Sequence, residues 1–310
     1  MSTLHYSVMK TTAIDLLDID PNGIYVDMTL GRGGHTSLIL SKLDQGHLYA
    51  FDKDQQAIDY CAKRFKDSPK ITLIHDDYTQ ISAWLHHYGV GQVNGILADL
   101  GVSSPQFDDA TRGFSYRYDA PLDMRMDQRQ SKTAATIVNT YSLQQLTWLF
   151  KTYGEHPFAA KIASAIVEQR AIQPIQTTFE LVKLIKSALP AKVLAKKGHP
   201  AKQIFQSLRI EVNGELDGLK NALDQIHDLV KPHGRVVIIT FHSLEDRLVK
   251  HTFTAWSSID PAYAHLPLTQ DQLPKTDYQL ITKKPIEASI DELDENHRSH
   301  SAKLRCVKRN

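Results

Sequence analysis

Cysteine is scarce in this sequence: Cys61 and Cys306 are its two cysteines, and no C-x-x-C pair occurs. This excludes the disulfide framework of a small secreted domain and leaves no dithiol motif for zinc or redox chemistry. Apolar runs are only a few residues long, so we expect no membrane span. The N-terminal residues show no basic flank followed by an apolar core, so we expect no secretory signal and a cytoplasmic protein.

An excess of charge of one sign is also lacking, with 36 Lys and Arg against 35 Asp and Glu. This balance does not exclude a nucleic-acid partner, because a basic contact face is sufficient. The last 14 residues contain five Lys or Arg and no acid, which favours phosphate contacts over a solvated edge strand. The 15 histidines show no H-E-x-x-H spacing, so we expect no metal site.

The first hundred residues alternate between strand-like and helix-like segments. The runs "GIYVDMTL", "HLYAFDKD", "ITLIHDD" and "VNGILADLG" are apolar and short, and helical segments separate them. This βαβαβαβ pattern predicts a parallel sheet covered on both faces, the α/β class. The pattern resumes with "RVVIITFHS", and we expect "YQLITKKPI" and "AKLRCVKR" to pair as an antiparallel edge.

A helical insertion interrupts this pattern between about residues 106 and 199. Strand-like runs are missing there, and apolar residues recur at helical spacing, as in Leu143, Leu146 and Leu149. We therefore predict a discontinuous domain of residues 1–105 and 200–310, with residues 106–199 as an all-helical substrate-recognition domain. The exposed faces of this insertion leave room for a homodimer.

A glycine-rich turn, Gly31-Arg32-Gly33-Gly34-His35-Thr36, follows the first strand and opens a helix. Such turns bring backbone N–H groups and the positive helix end toward an anion. Thr36 takes the place of the third glycine in the dinucleotide fingerprint, which weakens the case for a dinucleotide. Asp52 lies 21 residues after Gly31, where an acid binds a ribose diol. NAD and S-adenosylmethionine both carry that ribose, and a tight turn beside a solvated Asp is the structural alternative.

The fourth strand ends at Asp99, at the sheet edge where open α/β sheets bind ligands. Ser103, Ser104 and Pro105 follow it. This order loosely resembles the acidic or polar residue and prolines that follow the fourth strand in methyltransferases acting on exocyclic amines of bases.

The whole sequence resembles the ribosomal RNA small subunit methyltransferase H family. The matching stretches follow the family's order over nearly the full length, and "LGVSSPQ", "PLDMRMD" and "FHSLEDR" are the most specific. The resemblance implies a class I, Rossmann-like methyltransferase fold and S-adenosylmethionine as cofactor. It also implies methylation of the N4 of a cytidine in the decoding region of 16S rRNA, on the free rRNA or on the small ribosomal subunit.

The resemblance also implies which residues contact the cofactor. They are Gly33, Gly34 and His35 in the turn, Asp52 on the ribose, Tyr78 beside the adenine, and Asp99 and Gln106 near the methionine end. Reasoning from the residues alone selects the turn, Asp52 and Asp99 but not Gln106. For the amine, we expect Asp99, Ser103 or neighbouring backbone carbonyls to accept hydrogen bonds from N4–H and so orient its lone pair.

Further residues are candidates for contacts with RNA. An unstacked target base usually lies against an aromatic ring, and Phe107, Phe114, Tyr116 and Tyr118 are candidates for that ring or for ordinary packing. The basic candidates for phosphate contact are Arg112, Arg117, Arg125, Arg129, Lys196, Lys197 and Lys202. The alternating Asp119, Asp123 and Asp127 favour internal pairing instead. His242 is a candidate for substrate or cofactor contact, or for a structural hydrogen bond to Glu245 or Asp246.

Two other functions compete with the methyltransferase. An NAD-linked oxidoreductase is opposed by Thr36 and by the lack of a hydride-transfer constellation. An RNA-binding or assembly protein would keep the cofactor pocket without turnover. Cofactor binding without methyl transfer would favour this last alternative.

Overall fold

A computed structural model of the chain describes residues 7–196, 198–259, 263 and 274–310. The chain divides into two compact units, Met1–Gly101 with Leu216–Asn310, and Val102–Glu215. We call the first the sheet unit and the second the helical unit.

The described part of the sheet unit contains a seven-stranded sheet in the order β3-β2-β1-β4-β5-β7-β6. The strands are β1 (Ile24–Asp27), β2 (His47–Phe51), β3 (Ile71–Ile74), β4 (Val93–Asp99), β5 (Val230–Thr240), β6 (Tyr278–Leu280) and β7 (Lys303–Arg309). Neighbours among β1 to β5 are parallel, whereas β7 runs antiparallel to β5 and β6. The predicted Rossmann-like α/β class is confirmed, including the antiparallel edge. The strand order reverses between β1 and β4, which is where sheets of this kind bind ligands.

Helices connect the strands and form most of the helical unit. They are α1 (Lys10–Leu17), α2 (Gly34–Lys42), α3 (Gln55–Arg64), α4 (Ile81–His87), α5 (Ser104–Asp108), α6 (Ala134–Thr140), α7 (Leu143–Thr152), α8 (Ala159–Ile172), α9 (Thr178–Ala188), α10 (Ala191–Leu194), α11 (Lys202–Asn213), α12 (Glu215–Leu229), α13 (Ser243–Trp256) and α14 (Ile290–Glu295). Short 3-10 helices span Tyr78–Gln80, Ala110–Arg112 and His297–Ser301. Within the described residues, none of these helices combines the length and the apolar character needed to cross a bilayer.

The sheet is buried on both faces because successive side chains of a strand point in opposite directions. On one face, Ile96 and Ile238 pack with Leu223 of α12. On the other, Leu97 and Val237 pack with α1 and α2. This double covering explains why the strands are near-continuous apolar runs, and it fixes the strand ends that carry the candidate site.

The helical unit has its own apolar core, in which Leu146, Ile162 and Leu181 are fully buried. Its bounds differ from the predicted 106–199, mainly at the C-terminal end. Phe205 and Leu208 of α11 lie in the helical core, so α11 belongs with the insertion rather than with the sheet. The 3.6-residue period of α11 identified a helix but not the core against which it packs.

Candidate active site

The turn between β1 and α2 is stabilised from inside by Asp27. Its Oδ1 accepts a hydrogen bond from the Thr29 amide at 3.1 Å, and its Oδ2 accepts one from the Thr36 hydroxyl at 2.6 Å. Burial raises the pKa of Asp27 to about 6, although these bonds oppose the rise. Thr36 therefore has a structural reason to replace the third glycine. Asp27 is not among the residues predicted from the sequence, although an acid ending a strand, as at Asp99, was the available signal.

Glycine is required at the start of α2 for two reasons. Gly33 has φ of 71°, a left-handed conformation that side chains disfavour. A Cβ on Gly33 would lie 2.6 Å from the Phe65 ring, and a Cβ on Gly34 would lie 1.7 Å from Ser7 Oγ. No side chain caps this helix end in the part of the chain described. Its first amides can therefore bind a carboxylate or phosphate.

Asp52 is bound directly to the glycine turn. Its Oδ2 accepts a hydrogen bond from the Gly31 amide at 2.8 Å, and its Oδ1 accepts one from the Asp54 amide at 2.9 Å. Burial raises the pKa of Asp52 to about 6, and the two amides oppose that rise. A carboxylate oxygen has more than one acceptor site, so both oxygens can still accept from a ribose diol.

Tyr78 follows β3 and begins a 3-10 helix at the same edge of the sheet. Asp77 caps this turn by accepting from the Thr79 amide, and its carboxylate pairs with Lys53 at 3.0 Å. Because Lys53 is the neighbour of Asp52, this ion pair ties the Tyr78 turn to the end of β2. The half-buried Tyr78 packs against the sheet core.

His35 and Asp99 come together where the strand order reverses. His35 Nε2 lies 3.1 Å from the Val8 carbonyl oxygen, which only accepts hydrogen bonds, so Nε2 carries the proton. Burial lowers the pKa of His35 to about 4, so the ring is neutral near pH 7. Its Nδ1 then presents a lone pair toward Asp99 Oδ2, at 3.7 Å. Two acceptors therefore face each other with no proton between them.

The Asp99 carboxyl is in an unfavourable environment for a charge. Its Oδ1 is buried and has no hydrogen-bond partner among the described residues. Burial raises the pKa of Asp99 well above its usual range, and the carboxylates of Asp27, Glu245 and Glu292 raise it further. A buried acceptor without a donor is costly. The arrangement therefore suits a ligand that brings N–H donors or positive charge.

Ser103 and Gln106 lie in the helical unit, at the start of α5. They form a capping box, in which the Ser103 amide donates to Gln106 Oε1 at 2.9 Å. Gln106 is buried. This contact gives both residues a structural role, and their predicted roles toward amine and cofactor stay predictions.

The four aromatic candidates differ in exposure. Phe114 is buried and lies against Phe107, which is partly buried. Tyr116 is stacked on His199, with ring centroids 4.2 Å apart and planes 6° apart. Tyr118 alone among the four is exposed, at 54%. It is therefore the one of the four with a ring open to a base.

Several of the basic candidates are occupied by contacts inside the protein. Arg125 pairs with Asp123 at 2.7 Å and Arg129 pairs with Asp127 at 2.8 Å, as the alternating acids indicated. Arg112 is buried and donates to the backbone carbonyls of residues 125 and 126. Lys196 and Lys202 are exposed. Lys197 lies outside the described residues.

The C-terminal basic run and His242 are also engaged internally. Arg305 is buried in β7 and donates to both carboxylate oxygens of Asp246, at 2.7 and 3.2 Å. Arg309 donates to the carbonyls of residues 228 and 230. His242 begins α13 and lies 3.1 Å from Glu245 Oε1, which favours the structural alternative predicted for it.

The model of the MraW methylase family matches residues 2–310 of this chain. The chain belongs to the MraW methylase family. This methylase is 51% identical to the ribosomal RNA small subunit methyltransferase H of Streptococcus equi subsp. equi (strain 4047), over 98% of the chain and 97% of that relative. It is 49% identical to the protein of the same name from Oenococcus oeni, over 99% and 98%.

An rRNA methylase structure from Streptococcus thermophilus is also similar, with a TM-score of 0.42 and 12% identity over 98% of this methylase and 97% of that chain. Neither value adds to the assignment, which rests on the family model and the sequence relatives. The predicted family resemblance is confirmed, and the methylase family removes the oxidoreductase alternative.

Proposed function

We propose that the protein transfers the methyl group of S-adenosylmethionine to the exocyclic N4 of a cytidine in the decoding region of 16S rRNA. The observation that carries this proposal is the acceptor pair at the end of β4, where Asp99 Oδ1 has no partner among the described residues. An exocyclic amine supplies the missing N–H donor. The relatives named above, about half identical over nearly the whole chain, support the same reaction.

The residues around the glycine turn fit S-adenosylmethionine. The uncapped start of α2, at Gly33, Gly34 and His35, suits the methionine carboxylate. Asp52 keeps acceptor capacity for the ribose hydroxyls, and Tyr78 provides a ring for the adenine. When bound, the cofactor supplies a methyl group on a sulfonium, which is transferred to an in-line nucleophile.

The protein's main task is then to prepare the amine. The N4 lone pair of cytosine is conjugated with the ring, so the nitrogen is a poor nucleophile until it pyramidalises. A carboxylate that accepts from N4–H favours that change, and we assign this role to Asp99, with Ser103 or nearby backbone carbonyls as further acceptors. Alignment of reacting groups can supply about 7–11 kcal/mol of a barrier.

The reaction is tested with methyl-labelled S-adenosylmethionine and two acceptors, undermethylated small ribosomal subunits and naked 16S rRNA. Mass spectrometry of the nucleosides identifies the product. We expect label in N4-methylcytidine with the wild-type protein and a large loss with Asp99→Ala. An Asp67→Asn variant is the matched control, because Asp67 is exposed and its loss of charge should leave transfer unchanged.

Two outcomes would contradict the proposal. Label in another nucleoside would assign a different acceptor. Cofactor binding with no transfer to either RNA would favour a binding or assembly protein instead. Calorimetric binding of the cofactor by Asp99→Asn separates two roles: unchanged affinity with slower transfer places Asp99 at the amine, whereas lost affinity places it at the methionine end.

The remaining partners follow from this substrate. A ribosomal substrate would place the protein in the cytoplasm, and the helical unit would provide substrate recognition. A homodimer stays a prediction, which sedimentation of the purified protein checks.

A further inference from the structure

The helical unit contains a basic stretch without acids. Between residues 181 and 210 the sequence has seven Lys or Arg and no Asp or Glu. Five of these lysines are exposed, and none of the five forms an ion pair within the described ranges. They are Lys183, Lys186, Lys192, Lys196 and Lys202, which we call the lysine surface.

The residues of the lysine surface lie close together. Lys183 and Lys186 are three residues apart on α9, on the face opposite to the buried Leu181 and Ile185. The connection from α9 to α11 is compact, because Val193 and Lys196 donate to carbonyls only three residues earlier, at 2.8 and 3.2 Å.

His199 connects this segment to α9. Burial lowers the pKa of His199, and the charge of Lys186 lowers it further, which places the Lys186 ammonium near this ring. The Tyr116 ring stacked on His199 and the edge contact of Tyr116 with Phe205 hold the connection on the helical core. The lysines are therefore presented from a fixed backbone.

Two exposed aromatic rings lie at the beginning of α9. Tyr118 is 54% exposed and Phe179 is 46% exposed. The Tyr118 carbonyl accepts from the Thr178 hydroxyl at 2.6 Å, which places Tyr118 beside Phe179 in the chain. Phe179 and Lys183 are four residues apart, so they share a face of the helix. The rings therefore adjoin the lysine surface.

The acids nearest to these rings already have partners. Glu180 accepts from the amides of residues 176 and 177, at 2.7 and 3.1 Å. Asp119 accepts from the Phe179 amide at 3.3 Å. An ordinary solvated helix face interleaves charges of both signs and needs no exposed aromatic rings. Positive charge beside rings on which bases stack is the pattern of surfaces that bind single-stranded nucleic acid.

We propose that the lysine surface, with Tyr118 and Phe179, binds a single-stranded segment of the rRNA substrate. The lysines contact phosphates and the two rings stack on bases. This assignment rests on the proposed function, because it names the surface that holds the strand beside the target cytidine.

The test measures binding of a fluorescein-labelled oligouridylate to the full-length protein by fluorescence anisotropy, between about 50 and 200 mM salt. The lysine variant carries Lys186→Gln, Lys192→Gln and Lys196→Gln. The control variant carries the same change at three exposed lysines of the sheet unit, Lys66→Gln, Lys220→Gln and Lys250→Gln. Melting curves verify that both variants are folded.

We expect the lysine variant to bind about 10- to 100-fold more weakly at about 100 mM salt. The slope of log affinity against log salt should fall in magnitude by about 2, since each phosphate contact to a single strand contributes about 0.7. The control variant should match the wild type. Tyr118→Ala with Phe179→Ala should weaken binding by about 5- to 100-fold without changing the slope, because stacking releases no counterions.

Wild-type affinity and slope in the folded lysine variant would overturn the proposal, as would an equal loss in the control variant. The methyl-transfer assay is read separately. Transfer to rRNA by a lysine variant with unchanged RNA affinity would keep the proposed function and remove this surface. Lysine-dependent binding without transfer by the wild type would keep the surface and remove the proposed reaction.

Discussion

Asparagine in place of Asp99 removes a buried charge that the described residues do not compensate, and we expect the Asp99→Asn protein to be more stable and much less active. In the wild type, Asp99 Oδ1 has no partner and Oδ2 faces the lone pair of His35 Nδ1 at 3.7 Å. An asparagine amide adds N–H donors and can donate to that nitrogen. The substitution therefore replaces a contact between two acceptors with a donor and an acceptor.

The magnitude follows from the unpaired oxygen. A buried polar group without a partner costs about 1–3 kcal/mol, and more when it is charged. We expect the free energy of unfolding to rise by about that amount, which corresponds to an increase of about 2–6 °C in melting temperature. Transfer should fall by about 10- to 100-fold, because a hydrogen bond to a charged acceptor contributes about 1.5–3 kcal/mol.

The pH dependence gives the sign of the effect. Because the pKa of Asp99 is raised in the folded protein, the folded state retains this proton after the unfolded state has lost it. The wild type therefore loses stability as pH rises from about 4, the ordinary value for Asp, toward the raised pKa. Asparagine does not titrate, so the stability difference between variant and wild type should be smallest near pH 4 and grow with pH.

Melting curves at a series of pH values, together with methyl transfer at one pH, test this prediction. The exposed Asp67→Asn variant is the control and should follow the wild type at every pH. A less stable Asp99→Asn protein at neutral pH would refute the reasoning from the two acceptors. A stability difference independent of pH would refute the assignment of a raised pKa.

Three further predictions concern other parts of the molecule. Gly33→Ala should lower the melting temperature and the cofactor affinity, because a left-handed φ of 71° costs a side chain about 1–2 kcal/mol; calorimetry and melting curves that match the wild type would contradict this. Asn213→Ala should cost about 2–4 kcal/mol in urea unfolding, because Asn213 bonds the backbone of residues 124, 126 and 209 at 2.7–2.9 Å. Arg305→Met should cost about 3–5 kcal/mol by leaving the Asp246 carboxylate buried without its main partner. Although burial opposes it, Arg305 lowers the pKa of Asp246, so this stabilisation should disappear as pH falls through the lowered pKa; an equal stability difference at all pH values would contradict it.

Much of the sheet unit follows from local pattern. Short apolar runs separated by helical segments predict parallel strands, and the structure has them in the expected places. The 21-residue interval from Gly31 to Asp52 predicts that an acid meets the turn, and the two are joined at 2.8 Å. These features depend on chain direction and on the side-chain period, which a single sequence contains.

Other features of the site depend on residues that are far apart in the chain. The position of Gln106 in the sequence gives no sign that its side chain accepts from the Ser103 amide. Tyr116 is a candidate base platform by sequence, but the arrival of His199 against its ring turns it into a structural contact. The bounds of the insertion moved for the same reason, because a helical period does not say which core a helix joins.

The sequence by itself determined the order of strands and helices, the glycine turn and the acids at the strand ends, because backbone sterics and apolar periodicity act over a few residues. Only the tertiary structure decided how those acids behave. The burial of Asp99, the like charges of Glu245 and Glu292 and the neutral ring of His35 come from segments far apart in the chain. Desolvation and Coulomb interactions depend on distance in space, and folding alone sets that distance.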